Sequence, residues 1–241
     1  NEADNVAVLV ERLHRALNGI EWEVVFVDDD SGDGTSDAVR RIARRDRRVR
    51  CIRRLRRRGL AGACIEGILS SSAPIVAVID ADLQHDESLL PTIFRMIEAD
   101  EADLVVASRY SGDGRATTGL NPLRHWGSRV ATRIADLVTK TKLSDPMSGF
   151  FMVRRDVLMG LVRDLSGVGF KILLDIFATS PQPLRFCELP YEFRSRHTGE
   201  SKVSGNVALD FLTLLLQKKF GRFIPSRFIY FSLIGGSGVV V

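Results

Sequence analysis

The stretch Pro74-Ile75-Val76-Ala77-Val78-Ile79-Asp80-Ala81-Asp82-Leu83-Gln84-His85 decides how this chain of 241 residues is read. The run from Ile75 to Ile79 is apolar and rich in β-branched side chains. That is the pattern of a strand buried on both faces, as in a parallel sheet covered by helices. It stops on two carboxylates two residues apart, followed by Gln84. Ligands of open α/β sheets bind beyond the carboxyl ends of strands, where these groups fall. Hard oxygen donors in such close order suit Mg²⁺ or Mn²⁺, which keep several waters and take substrate phosphates. Turns collect Asp for backbone reasons too. Asp-x-Asp alone therefore leaves a surface turn and a metal site both open, and its neighbours must arbitrate.

Upstream, Val6, Leu9, Val10, Leu13 and Leu17 recur at helical spacing, with Asp4 or Asn5 as the expected N-cap. A helix starting there implies a strand ahead of it. Glu23 to Val27 is the next expected strand, closing on Asp28-Asp29-Asp30-Ser31-Gly32-Asp33-Gly34-Thr35. This acidic, glycine-containing loop leads into a helix to about Arg45, capped by Thr35. An acidic turn with a good cap explains it as well as a site does, but a second acidic strand end favours a shared site. A short outer strand over 49–55, a small-residue helix over 59–72, a helix over 87–98 and a strand over 103–107 follow. Alternation at this pace is the mark of βαβ units and a mainly parallel, Rossmann-like α/β sheet flanked by helices.

Beyond Arg109 the texture changes. A polar connector over 112–122 precedes an expected helix at 123–139. Leu143 to Val153 reads as a turn into an apolar strand, followed by helices over 154–164 and 167–179 and a strand over 185–193. Arg194 to Lys202 is a loop with several cationic side chains, and an amphipathic helix over 203–218 follows.

The composition, 45% hydrophobic and 27% charged, is that of a globular protein long enough for a full core. The net charge of +4 hides an asymmetry: Arg40 to Arg58 holds twelve Arg and one Asp, leaving 22 basic against 29 acidic residues elsewhere. The run lacks interleaved aromatics for base stacking, so no nucleic-acid partner is expected. It reads as a solvated face, with a face apposed to anionic lipid as the second option. Cys51, Cys64 and Cys187 have no metal-ligand spacing and are expected as buried free thiols. No Rossmann or Walker glycine pattern and no serine nucleophile elbow is present. The four His do not cluster in sequence and read as surface or core residues.

Six segments in order carry a resemblance: Asn1-Glu2, Val27 to Thr35, Asp80 to His85, Ser108-Arg109-Tyr110, Asp145 to Phe150, and Arg196 through Gly199 to Ser201-Lys202. Together they resemble the dolichol-phosphate mannose synthase branch of the family 2 glycosyltransferases, which have the GT-A fold. The resemblance covers residues 1–218. Asp30 stands where Asn is commoner, Gly32 where Pro is, and only Asn-Glu remains of the family's usual opening strand and Pro-Thr-Tyr-Asn-Glu. The resemblance implies that Glu2, Asp28 and Asp29, with Asp80 and Ala81, contact a nucleotide sugar, and that Arg196 and Lys202 close over its phosphates. It implies Mg²⁺ or Mn²⁺ on Asp80, Asp82 and Gln84, with Arg109 steering a polyprenyl phosphate acceptor and Asp82 and Arg109 as the catalytic residues. The implied transfer is inverting and gives a β-linked glycosyl phosphate lipid, with mannose or glucose as the sugar. A transferase acting on a saccharide acceptor would need a carboxylate base. A non-catalytic nucleotide-sugar-binding membrane scaffold would have no use for the acids.

The end of the chain points to lipid independently. Lys218, Lys219, Arg222 and Arg227 precede an uncharged apolar run from Phe228 to Val241. That run is shorter than the ~20 residues a span needs, yet basic residues before an apolar run belong on the cytoplasmic side of a membrane. Residues 219–241 are thus expected to be a juxtamembrane segment and the start of a membrane region. The catalytic domain would sit at the cytoplasmic face.

Overall fold

The computed structural model describes residues 1–56, 59–110, 141–167 and 172–194. The elements, in chain order, are α1 (Ala3–Ala16), β1 (Val24–Asp28), α2 (Thr35–Ala43), β2 (Val49–Arg53), α3 (Leu60–Ser70) and β3 (Ile75–Val78). A 3₁₀ turn (Glu87–Leu89) then leads into α4 (Leu90–Glu98), β4 (Leu104–Ser108), β5 (Phe151–Arg154), α5 (Arg155–Leu161), α6 (Ile172–Thr179) and β6 (Phe186–Pro190). The expected α/β alternation is borne out, with boundaries moved by a few residues. The helices expected over 123–139 and 203–218, and the apolar run from Phe228, lie outside the described residues.

The sheet is covered on both faces, which is why its strands read as unbroken apolar runs. Successive residues of β4 take opposite sides. Val105 and Ala107 join Val6, Leu13, Val39 and Ile93 of α1, α2 and α4 in one core, while Leu104 and Val106 join Ile68, Leu158 and Ile176 of α3, α5 and α6 in the other. Gly67 of α3 allows the close approach to the sheet that its small residues announce, since a Cβ there would stand 3.0 Å from Val27 Cγ2.

Hydrogen bonding divides the strands into a parallel pair, β1-β2, and a four-stranded group ordered β3-β5-β4-β6. Within that group β4 and β6 are parallel, and β5 alone runs against its neighbours β3 and β4. Val78 pairs with Phe151 and Val106 also pairs with Phe151, so β5 is the rib between the two.

Three local expectations give way to different geometry. Glu2, not Asp4 or Asn5, precedes the first turn of α1, and Asn5 is buried inside the helix with its amide donating to Glu2 Oε2 at 2.6 Å. Gly34, in the left-handed region at φ +85°, is the N-cap of α2. Thr35 is instead the first helical residue, its hydroxyl donating to Asp33 Oδ1 and accepting from the Glu2 N–H. The cysteines are free but only half-buried. Burial, then the charge of Asp80, pushes the Cys64 thiol up to about 12.

Candidate active site

The metal-type triplet lies in the turn after β3. Asp82 is buried, and its Oδ1 accepts the Gln84 N–H at 3.1 Å, a short-range turn bond of the kind Asp favours. Leu83 between them adopts φ +63°, so the turn holds an unfavourable backbone conformation to aim its side chains. Asp80 is more open, its side chain 41% exposed. Its Oδ2 lies 3.2 Å from His85 Nε2, and His85 Nδ1 is 2.7 Å from the Tyr191 hydroxyl. An ionised carboxylate only accepts, so Nε2 is the donor towards Asp80, and in a neutral imidazole Nδ1 is then the acceptor for the Tyr191 hydroxyl. Phe150, Tyr191 and Phe193 enclose the His85 ring at centroid distances of 5.4–5.8 Å. Gly149 stands against the same oxygen, where a Cβ would fall 2.8 Å from Asp80 Oδ2. Only glycine leaves that carboxylate its place.

The second acidic strand end is built differently. Asp28 is buried beneath its own loop. Burial opposes its ionisation, but hydrogen bonds from Ser31 and Ser36 outweigh this and hold its carboxyl below the usual range. Asp29 faces the other way. Its Oδ2 accepts the Gly59 N–H at 2.8 Å, and its Oδ1 is 3.0 Å from Arg54 Nη1 in an ion pair too poorly aligned to be a hydrogen bond. Arg54 is itself buried, with Nη1 donating to the Gly59 carbonyl at 3.1 Å. Glu2 borders the same loop, since its N–H donates to Thr35 Oγ1 at 2.9 Å.

A second seam ties the chain after β6 to the metal-type turn. The Arg194 N–H donates to the Gln84 carbonyl at 3.0 Å, and Gln84 Nε2 donates to the Arg194 carbonyl at 3.0 Å. The Arg194 guanidinium meets Asp86 at 2.7 Å and Glu87 at 2.8 Å. Gln84 thus gives its nitrogen to this seam and keeps its amide oxygen as a donor atom for a cation. Among the described residues no three His, Cys, Asp or Glu side chains converge as a metal cluster. The available set is two carboxylates and one carboxamide oxygen, all hard donors.

Arg109 leaves β4 and is gripped at once. Its Nε and Nη2 donate to the two oxygens of buried Asp145 at 2.7 and 2.8 Å, the fork-to-fork geometry of a strong ion pair. Its guanidinium also lies 5.5 Å from the Phe193 ring. Burial opposes its charge, and Asp145 overcomes this, so the pKa of Arg109 is raised. Asp145 follows Ser144, whose N–H and hydroxyl donate to Glu188 at 3.0 and 2.9 Å.

The family profile described as glycosyl transferase family 2 matches residues 1–161. The chain belongs to the family 2 glycosyltransferases. It is similar to the dolichol-phosphate mannosyltransferase of Pyrococcus furiosus, 34% identical over 243 aligned residues, covering 100% of this chain and 67% of that one. It is likewise similar to the dolichol-phosphate mannosyltransferase of Saccharomyces cerevisiae, 32% identical, covering 96% of this chain and 88% of the other. Among solved structures it superimposes on glucosyl-3-phosphoglycerate synthase from Mycobacterium tuberculosis, in complex with Mn²⁺, UDP-glucose and phosphoglyceric acid, with TM-score 0.65. At 15% identity over 90% of this chain and 76% of that one, this likeness shows the shared GT-A fold. The resemblance to the dolichol-phosphate mannose synthase branch is borne out.

For this glycosyltransferase the structure places Glu2, Asp28 and Asp29 around one strand end and Asp80, Ala81, Asp82 and Gln84 around the other. Arg109 stands at the end of β4, which β5 separates from β3. Arg196 and Lys202 lie outside the described residues. His85, Arg54, Asp145, Gly149 and Tyr191 were not singled out by residue chemistry. His85 had one signal, its position directly after Gln84, and Arg54 was hidden among eleven other arginines.

Proposed function

We propose that this enzyme transfers mannose from a nucleotide diphosphate sugar to a dolichyl-type polyprenyl phosphate at a membrane surface. The observation that carries the reading is the likeness to the Pyrococcus mannosyltransferase along the whole of this chain, both acidic strand ends included. Asp80, Asp82 and the Gln84 amide oxygen would hold a divalent cation, Mg²⁺ or Mn²⁺. The mycobacterial fold relative was crystallised with Mn²⁺ and a UDP-sugar. Such a cation, when bound, supplies positive charge to the diphosphate that departs from the sugar. Glu2, Asp28 and Asp29, with Asp80 and Ala81, would line the nucleoside and diphosphate subsite. Arg196 follows Arg194 by two residues, a chain span of no more than about 7 Å. With Lys202 it would neutralise phosphate oxygens.

An acceptor phosphate is already anionic at neutral pH, so its oxygen can attack the anomeric carbon without a base. The attack forms the new carbon–oxygen bond as the bond to the nucleoside diphosphate breaks, with inversion. Arg109 would meet that acceptor with its Nη1 edge, since Asp145 occupies Nε and Nη2. Residues 1–218 would form the catalytic domain. Residues 219–241, with three basic residues ahead of an apolar run, would fix it to the cytoplasmic leaflet. No helix among the described residues is long and apolar enough to cross a membrane.

The deciding assay offers dolichyl phosphate and a panel of labelled GDP- and UDP-sugars with Mg²⁺ or Mn²⁺. Label from a mannosyl donor should enter the lipid phase and disappear with chelator. Label entering a water-soluble saccharide acceptor in its place would overturn the reading.

A further inference from the structure

Arg194 fastens the turn after β3 from outside, with its backbone and its side chain together. Its N–H donates to the Gln84 carbonyl and its own carbonyl accepts from Gln84 Nε2, both at 3.0 Å. Its guanidinium reaches the next three residues. Nη1 donates to the His85 carbonyl at 3.3 Å and to Glu87 Oε2 at 2.8 Å, and Nη2 donates to Asp86 Oδ1 at 2.7 Å. Glu87 is buried, and Arg12 Nη1 of α1 lies 3.7 Å from the same oxygen, so the clamp is anchored to a helix at its far end. Its two sides come from 107 to 110 residues apart in the chain.

A carboxamide offers a cation only its oxygen, since its nitrogen is a donor with two hydrogens. The two ends of Gln84 have nearly the same shape, so an unheld side chain would present either one. The Arg194 carbonyl can only accept, so it takes the nitrogen and leaves the oxygen for other company. That carbonyl is fixed in turn, because both terminal nitrogens of its own guanidinium are bound to the turn. With two carboxylates on one guanidinium, Arg194 is neutralised where it stands. It works as a strut, unlike a cation spent on phosphate.

We propose, resting on the reading of Asp80, Asp82 and Gln84 as the cation subsite, that Arg194 is a positioning residue for it. Arg194 selects the end of the Gln84 carboxamide that a divalent cation meets and holds it ready before the cation arrives. Electrostatics alone predicts the opposite sign. Removing a positive charge beside a cation site favours the cation by Coulomb's law, and here it also leaves Asp86 and Glu87 without that partner. Loss of the clamp works against the cation, because a carboxamide free to turn must be ordered at the moment of binding.

Titration of the 241-residue chain with Mn²⁺ alone, read by the relaxation of water protons, tests that sign. Arg194→Met should weaken Mn²⁺ binding about tenfold, the low end of what outer partners of ligating groups contribute. No phosphate is present, so the loss of a phosphate ligand would not move this readout. Arg194→Lys keeps the charge and can reach one carboxylate, so it should lose less, and it keeps the test open if the methionine variant does not fold. Gln84→Glu adds a negative charge but sets an oxygen against the Arg194 carbonyl, and its affinity should fall. Mn²⁺ binding unchanged or tighter in either Arg194 variant, or tighter in Gln84→Glu, overturns the proposal. Asp82→Asn separates two failures. If it loses Mn²⁺ while the Arg194 variants do not, the subsite stands and only the role of Arg194 falls. If it binds Mn²⁺ as the unaltered protein does, the subsite lies elsewhere and the proposal falls with it.

Discussion

Asp80 and Asp82 are chemically identical, yet their surroundings give them different tasks. Asp82 is buried within its turn, whereas Asp80 is held by the His85 N–H and by the absence of a side chain at Gly149. Asp82→Asn keeps the shape and removes the charge, so donor turnover should collapse while the melting temperature moves little. Undiminished turnover would sink the metal assignment. His85→Phe keeps the aromatic enclosure and removes the bond to Asp80. Outer partners of ligating groups are typically worth about 10–100-fold in metal affinity, and calorimetric Mn²⁺ titration should show a loss of that size. An affinity unchanged in His85→Phe would make the contact merely structural. The carboxylates were legible in the sequence because strand ends advertise their acids. His85 was not, because its partners Tyr191, Phe193 and Phe150 come from more than sixty residues away and no local pattern announces them.

At the scale of elements, the arginine-rich segment over α2 and β2 is two things at once. Arg41, Arg44, Arg45 and Arg47 are exposed, as a solvated face requires. Arg48 pairs with Asp46, Arg50 with Glu23, Arg53 with Asp30, and Arg54 turns inward to Asp29. A charge run has no period that would say which member turns inward, so this division had to come from the packing. Arg54→Met should cost about 2–3 kcal/mol, below the 3–5 of a fully buried pair because Asp29 is partly solvated. Denaturant melts would read that cost, and a loss under half a kcal/mol would show the pair to be idle. Asp46 supports the same region. Its hydrogen bond from Arg48 outweighs burial and, with His14, holds its carboxyl at about 2 against an ordinary 3.8. A depressed folded pKa means stabilisation that is complete above about pH 5 and fades as pH falls towards 2. Asp46→Asn should therefore flatten the decline of Tm between those values and leave Tm above pH 6 on a parallel course.

For the molecule as a whole, the doubly covered sheet was legible because apolar runs of four to five residues admit few other readings. The direction of β5 was not, since a run such as Phe151-Met152-Val153 reads alike both ways. Nor was the break between β1 and β3, which depends on pairing and not on pattern. The exposed arginines and the basic residues from Lys218 onward carry one molecular-scale expectation. The protein truncated after Gln217 should still float with anionic liposomes at low salt and detach as salt rises, because each basic residue near such a surface contributes about 1 kcal/mol. Indifference to anionic vesicles at low salt would leave the run a solvated face. The lone reversed strand also has a consequence in time. β3 ends at Val78, and the rib that joins it to β4 begins only at Phe151. At ~5–20 residues per second a ribosome needs about 4–15 s to supply it. For that interval the nascent chain carries β3 and then β4 with uncovered edges, the kind of surface that recruits neighbouring chains. Substitutions in β5 should therefore lower soluble yield in fast expression at 37 °C more than they lower the melting temperature of the protein that survives, and slower synthesis should restore the yield.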